Sequence, residues 1–299
     1  VGGKGRLAQQ VADGLLPVPP GLQAEGLRRL LGQTGFQVIT VMSGQKGGGK
    51  TAATANLAVA LARSGRDVLI VDQDRHGRGA CAALGLTPRF DVSDVLERRC
   101  TLDALILDGP DNVQVLPIGG CFNRLGQLSE RDQEWLAQSF NRLQCGVDVV
   151  LVDMEEATDP DALPLGLAAS EIMVVLPPGN TAITQGYTLV KRLAHNFGKR
   201  QFRLLLNRME SPEQAQAVAR NFAQTAERYL GVSVDYLGYI PLDERLSRAG
   251  HLRTSVVDAF PVAQSTSQFR KLADGLLRWP QQAGLGNVGG FMQRVIQGS

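Results

Sequence analysis

Apolar runs recur along the chain at intervals too regular for loops, and most of them lack the alternation of a one-sided sheet. Val38–Met42, Val68–Val71, Val113–Leu116, Val147–Val152, Ile172–Leu176, Phe202–Leu206 and Tyr236–Ile240 are short, β-branched or aliphatic, and bounded by polar or glycine-containing segments. Each is predicted to be a strand, and continuous rather than alternating apolar character predicts cover on both faces. Helical patterns separate them. Thr51–Arg63 is alanine-rich, with Leu57 and Leu61 on one side, and Ser129–Leu143 forms another helix. Strand and helix alternating in this way predict an α/β fold, a doubly wound, mostly parallel sheet with helices on both faces.

The two ends read differently. Pro17-Val18-Pro19-Pro20-Gly21 breaks structure, so a loose arm is expected before it. Leu22–Leu31 then reads as a short helix with Leu27, Leu30 and Leu31 on one side, closed by Gly32 and Gly35. After Pro280 the glycines Gly284, Gly286, Gly289 and Gly290 predict a flexible tether. It leads to Phe291–Ile296, where Phe291 and Val295 share a helical face with Met292 and Ile296 beside them. That amphipathic segment suits a membrane surface or the protein's own body. The expected organisation is an arm and helix over residues 1–36, a main domain over 37–280, and a tail over 281–299.

Composition narrows the picture only a little. The chain has 299 residues, 43% of them hydrophobic and 20% charged, enough to build a core without disulfides. A net charge of +2 gives no basic stripe, so no direct nucleic-acid binding is expected. Arg98-Arg99 and Lys199-Arg200 read as solvated helix ends. The four cysteines, at 81, 100, 121 and 145, form no C-x-x-C pair and read as thiols in a reducing compartment. Neither a secretory h-region over residues 1–14 nor a membrane-spanning run is found. The expected location is cytoplasmic, at most peripheral on the inner face of the membrane.

The chemistry is carried by Gly44-Gln45-Lys46-Gly47-Gly48-Gly49-Lys50-Thr51, which fits G-x-x-x-x-G-K-[ST]. Glycines allow a backbone to curl around an anion and turn its N–H groups inward. The helix that follows adds the positive end of its dipole. Lys50 is expected to reach the terminal phosphates of ATP, and the Thr51 hydroxyl to hold Mg²⁺. A glycine-rich turn holding a lysine by chance would not sit between a buried strand and an apolar helix, as this segment does. Asp72 and Asp74 close the second strand and Asp153 closes a later one. In a parallel sheet these ends share the edge that binds ligands. Asp74 is expected to position the attacking water, and Asp72 and Asp153 to complete the magnesium set with Thr51. The histidines His76, His195 and His251 lack metal-ligand spacing, and His76 is assigned no catalytic part.

At these residues the chain resembles the MinD/ParA ATPases. The resemblance lies in the glycine-rich loop, the N-L-A-x-A-L-A helix from Asn56 to Ala62, and the V-D-x-D turn ending at Asp74. Within that group it is similar to the flagellar regulators called FlhG or FleN. Leu22–Arg28 looks like their D-Q-A-x-x-L-R element, Thr181–Leu193 like the helix after their fifth strand, and Tyr236–Leu246 like their penultimate strand and turn. The resemblance spans residues 22–280 and implies a slow ATPase that forms an ATP-dependent homodimer. It also implies control of flagellar number or placement through an FlhF-type GTPase and a flagellar transcription activator. Gln23 would be the residue that stimulates the GTPase. Asn207, Arg208 and Pro241 would contact the base.

Three departures stand against the family pattern. The signature lysine position of the loop is Gln45, with Lys46 one place late, so Lys46 must substitute for it or catalysis across the dimer is impaired. The D-x-G-A-G that follows the strand ending at Asp153 is here Asp153-Met154-Glu155-Glu156-Ala157. It lacks the glycine that brings a backbone N–H to the γ-phosphate and carries two carboxylates that would repel it. Leu22 replaces the Asp of D-Q-A. Nucleotide binding is therefore a firmer expectation than hydrolysis. The alternatives are a catalytically weak nucleotide-binding scaffold of the same family, and a ParA-type partitioning ATPase.

Overall fold

The structure is a computed structural model. It describes residues 37–74, 76–119, 128–142, 146–155, 167–169, 171–279 and 288–297. Among the described residues, eight strands make one sheet. In chain order they are β1 (Gln37–Met42), β2 (Val68–Asp72), β3 (Leu107–Asp108), β4 (Val113–Pro117), β5 (Val149–Asp153), β6 (Glu171–Leu176), β7 (Gln201–Met209) and β8 (Ser233–Pro241). Their spatial order is β3-β4-β2-β5-β1-β6-β7-β8, and every neighbouring pair is parallel except β3–β4. The fold is the mostly parallel, doubly wound sheet that the apolar runs predict.

Successive residues of each strand face opposite sides, and two cores result. Val38, Leu69, Val71, Val150 and Val152 enter one; Ile39, Val41, Ile70 and Leu151 enter the other. The second core is closed by α1 (Lys50–Arg63), whose residues from Ala53 to Ala62 are all buried. An alanine-rich helix buried nearly all round can lie close against a sheet, which explains the composition of this segment.

The first core is covered by α2 (Glu130–Arg142), α3 (Asn180–Phe197), α4 (Pro212–Leu230) and α5 (Val288–Gln297). The expected tether is shortened at its end, since Gly289 and Gly290 belong to α5, and of the two surfaces open to Phe291–Ile296 it is the protein's own body that is used. The helix α5 packs against α2, and Phe291, Met292 and Val295 are buried in the common core. The apolar face that would suit a membrane is used on the protein itself. The tether at 281–287 and the front helix Leu22–Leu31 with Gln23 lie outside the described residues. No described helix is long and apolar enough to cross a membrane.

Register sets the site. Asp153 lies level with Val41 on one side and Asp72 on the other, so the ends of β1, β5 and β2 meet at one point of the sheet edge.

Candidate nucleotide site

The loop after β1 is shaped by its glycines. Gly47 and Gly49 have φ of 71° and 88°, in the left-handed region that favours glycine. A Cβ at Gly48 would come within 2.2 Å of Ser43 Oγ, and one at Gly49 within 2.0 Å of Asn207 Nδ2. Gly44 is pressed against α3, where a Cβ would meet the Gln185 backbone at 2.4 Å. The loop delivers the chain into α1 with no side-chain cap and no acidic residue in the first turn. By contrast Ser211, Asp243 and Ser255 each cap the helix that follows them. The first N–H groups of α1 are thus left to a ligand, and the dipole favours an anion.

A cleft of about 680 Å³ opens over this loop. All eight residues from Gly44 to Thr51 line it, joined by Asp74, Asp153 and Arg208. Lys50 Nζ lies 3.4 Å from Asp153 Oδ1, so the mobile cation and the strand-end carboxylate converge. Burial raises the Asp153 pKa above the usual carboxylate range, while Lys50 and a hydrogen bond from Thr51 oppose the shift. Two buried donors that find no partner among the described residues, Ser43 Oγ and Arg192 Nε, belong to residues lining the cleft. Orphaned donors beside an uncapped helix start are what an anionic ligand would satisfy.

The magnesium set divides. Thr51 and Asp153 line the cleft, and a buried carboxylate beside a hydroxyl is a hard-oxygen pair that fits Mg²⁺. No group of three or more His, Cys, Asp or Glu is placed to hold a metal among the described residues. Bound by Thr51 and Asp153, Mg²⁺ would neutralise charge on the phosphates. Asp72 stands back from the cleft: its carboxylate accepts the N–H groups of Asp74 and Cys81, at 3.1 and 2.8 Å. Burial, then the neighbouring Asp153, push its pKa up to about 6.

Asp74 does reach the cleft, and it organises its own loop by accepting the N–H groups of His76 and Arg78, at 3.1 and 2.6 Å. Of the residues expected at the base, only Arg208 lines the cleft, with a φ of 57°. Asn207 is buried and donates from Nδ2 to the Gly48 carbonyl at 3.0 Å, bracing the phosphate loop. Pro241 ends β8, level with Met209. Glu155, expected to repel the γ-phosphate, meets His76 here, a residue assigned no catalytic part. His76 Nε2 lies 3.2 Å from Glu155 Oε1, and both line the cleft. No spacing signal links positions so far apart, and only their places on the two loops could have suggested the pair.

A parallel sheet carrying this loop, this lysine and this strand-end carboxylate at one edge defines a P-loop nucleotide-binding protein. The chain belongs to the CobQ/CobB/MinD/ParA family: the profile of that family's nucleotide binding domain matches residues 39–254. With the family goes the enzyme class, ATP hydrolase of the MinD/ParA kind. The antiactivator FleN of Pseudomonas aeruginosa is 33% identical over 262 residues, covering 87% of this chain and 94% of that protein. An uncharacterized ATP-binding protein of Methanocaldococcus jannaschii is 24% identical over 87% of this chain and 95% of its own length. Among solved structures, the septum site-determining protein MinD of Pyrococcus horikoshii, complexed with Mg-ADP, superposes with a TM-score of 0.62 at 25% identity. It covers 81% of this chain and 96% of that one.

Proposed function

We propose that the chain is an ATP-operated switch, a slow ATPase that governs flagellar number or placement through a partner GTPase of the FlhF type and a flagellar transcription activator. The observation that carries this reading is the 33% identity over 87% of the chain with an antiactivator, FleN, in a chain that keeps Lys50 and Asp153 in contact. Asp74 positions the attacking water, Lys50 and Lys46 meet the phosphates, and Thr51 and Asp153 hold Mg²⁺. ATP binding joins two copies into a homodimer, and Gln23 stimulates the GTPase. The test is complementation. Expression in Pseudomonas aeruginosa lacking FleN should restore normal flagellar number, and Lys50→Ala should not. Failure of the wild-type chain, expressed at normal level, refutes the flagellar role.

The place of α5 bears on membrane attachment. Its apolar face is occupied in the core, so binding at the inner membrane requires the helix to leave α2 when ATP drives dimerisation. Co-sedimentation with anionic liposomes should be ATP-dependent and lost on deleting residues 288–299; equal pelleting without ATP excludes it.

A second reading, a nucleotide-held scaffold with negligible turnover, is favoured by Glu155 in the cleft. Measured hydrolysis in the presence of lipid and partner separates the two.

A further inference from the structure

We infer that Glu155 sets this site to hold nucleoside diphosphate more tightly than triphosphate, by keeping a carboxylate where the third phosphate must go. The inference rests on the nucleotide reading above and concerns which nucleotide the resting protein prefers.

The geometry locates the terminal phosphate. Lys50 of a P-loop reaches the β- and γ-phosphates. Here its Nζ is placed by Asp153, at 3.4 Å, at the end of β5. The same cleft is lined by the loops that leave β2 and β5, which contribute Asp74, His76 and Glu155. A diphosphate ends at the cradle of glycine N–H groups; a triphosphate continues toward these three side chains.

Glu155 is held at its root. Its N–H donates to Gln73 Oε1 at 3.2 Å, and Gln73 is wholly buried. Two residues before Glu155, Asp153 is held in register between β1 and β2. The Glu155 carboxylate lies 3.2 Å from the His76 imidazole, joining two loops that line the cleft. Its side chain is only 19% exposed, so little water separates its charge from an incoming anion. A third phosphate would have to displace the carboxylate from His76 or accept its repulsion at close range. A diphosphate meets neither obstacle. ADP formed by hydrolysis would leave slowly and ATP would enter against a barrier, which by itself gives slow cycling.

The test uses the full chain with Mg²⁺ and two probes, ADP and the β,γ-imido analogue of ATP, titrated calorimetrically. Wild type should bind ADP more tightly than the analogue. Glu155→Gln keeps the shape and removes the charge, and should tighten the analogue by about tenfold or more while ADP stays within about twofold. His76→Asn separates the contact but leaves the carboxylate in place, so the analogue should stay weak. Glu155→Ala provides a second uncharged variant, and thermal melting checks that each variant is folded. Equal tightening of both nucleotides would reduce Glu155 to a general field effect and overturn the inference. So would an unchanged ratio in both uncharged variants, or a wild type that prefers the analogue. If neither wild type nor variants bind either nucleotide, the nucleotide reading itself fails.

Discussion

Two loops leave neighbouring strands of the sheet and face one cleft. Gly44–Thr51, after β1, presents N–H groups, an uncapped helix start and Lys50. The loop after β5 presents Asp153 and then Glu155. The first is shaped throughout for an anion: glycines where φ is positive or a Cβ would clash, and no acid in the first turn of α1. The second opposes an anion with a carboxylate at the point where the family pattern has a glycine. The difference teaches that attraction for the nucleotide and tolerance of its last phosphate are separate properties. They reside on separate loops and can vary independently.

If that division holds, damage to the first loop should cost binding, and changes to the second should alter selection or turnover. Lys50→Ala should have the largest effect. It removes the mobile cation from the phosphates and leaves buried Asp153 without its partner, and the expected loss of MgATP affinity is about a thousandfold. An unchanged calorimetric affinity would end the phosphate assignment of that loop. Asp74→Ala should next lower turnover about a hundredfold with ATP still bound, since a water-positioning group acts in the transition state. Wild-type hydrolysis in that variant would move the role elsewhere. Gly49→Ala forces a Cβ into Asn207 at a φ of 88° and should cost about 1–3 kcal/mol in denaturant unfolding, with weaker nucleotide binding. The smallest expected effect is a titration. Asp72 should show a midpoint near 6 by carboxyl ¹³C NMR, because burial disfavours its charge. Its folded pKa is raised, so its stabilising contribution is full below pH 4 and lost as pH climbs through 6. A midpoint at the ordinary carboxylate value would show that this residue is hydrated.

Much of this architecture was legible in the residues. A strand buried on both faces leaves an uninterrupted apolar run, and the central strands were readable to within a few positions. β7 is longer than its apolar run Phe202–Leu206 because Gln201, Asn207 and Arg208 are polar yet belong to the sheet, as Arg203 does within the run. The Arg203 guanidinium meets Glu171 on β6 at 3.0 Å and Asp235 on β8, contacts that exist only once three strands are side by side. β3 has two residues and no pattern to detect. The phosphate loop was legible because its chemistry is local: one short segment supplies the glycines, the lysine and the hydroxyl. The brace from Asn207 to Gly48 and the pairing of Glu155 with His76 were not, because each joins residues from distant segments. Phe291–Ile296 shows a further limit. An apolar helical face is the same pattern whether a bilayer or α2 covers it, and the structure assigns it to α2.

The hydrogen bond from Asn207 to Gly48 also has a temporal meaning. It joins residues 159 positions apart, so the loop leaves the ribosome long before its brace is made. Until β7 has been synthesised and added to the sheet, the growing chain carries a complete phosphate-binding sequence without its fixed shape. Competence to capture nucleotide therefore arrives late in synthesis, after most of the sheet is in place. A nascent fragment ending before Asn207 is expected to pass through the nucleotide-rich cell interior without holding ATP in its binding loop.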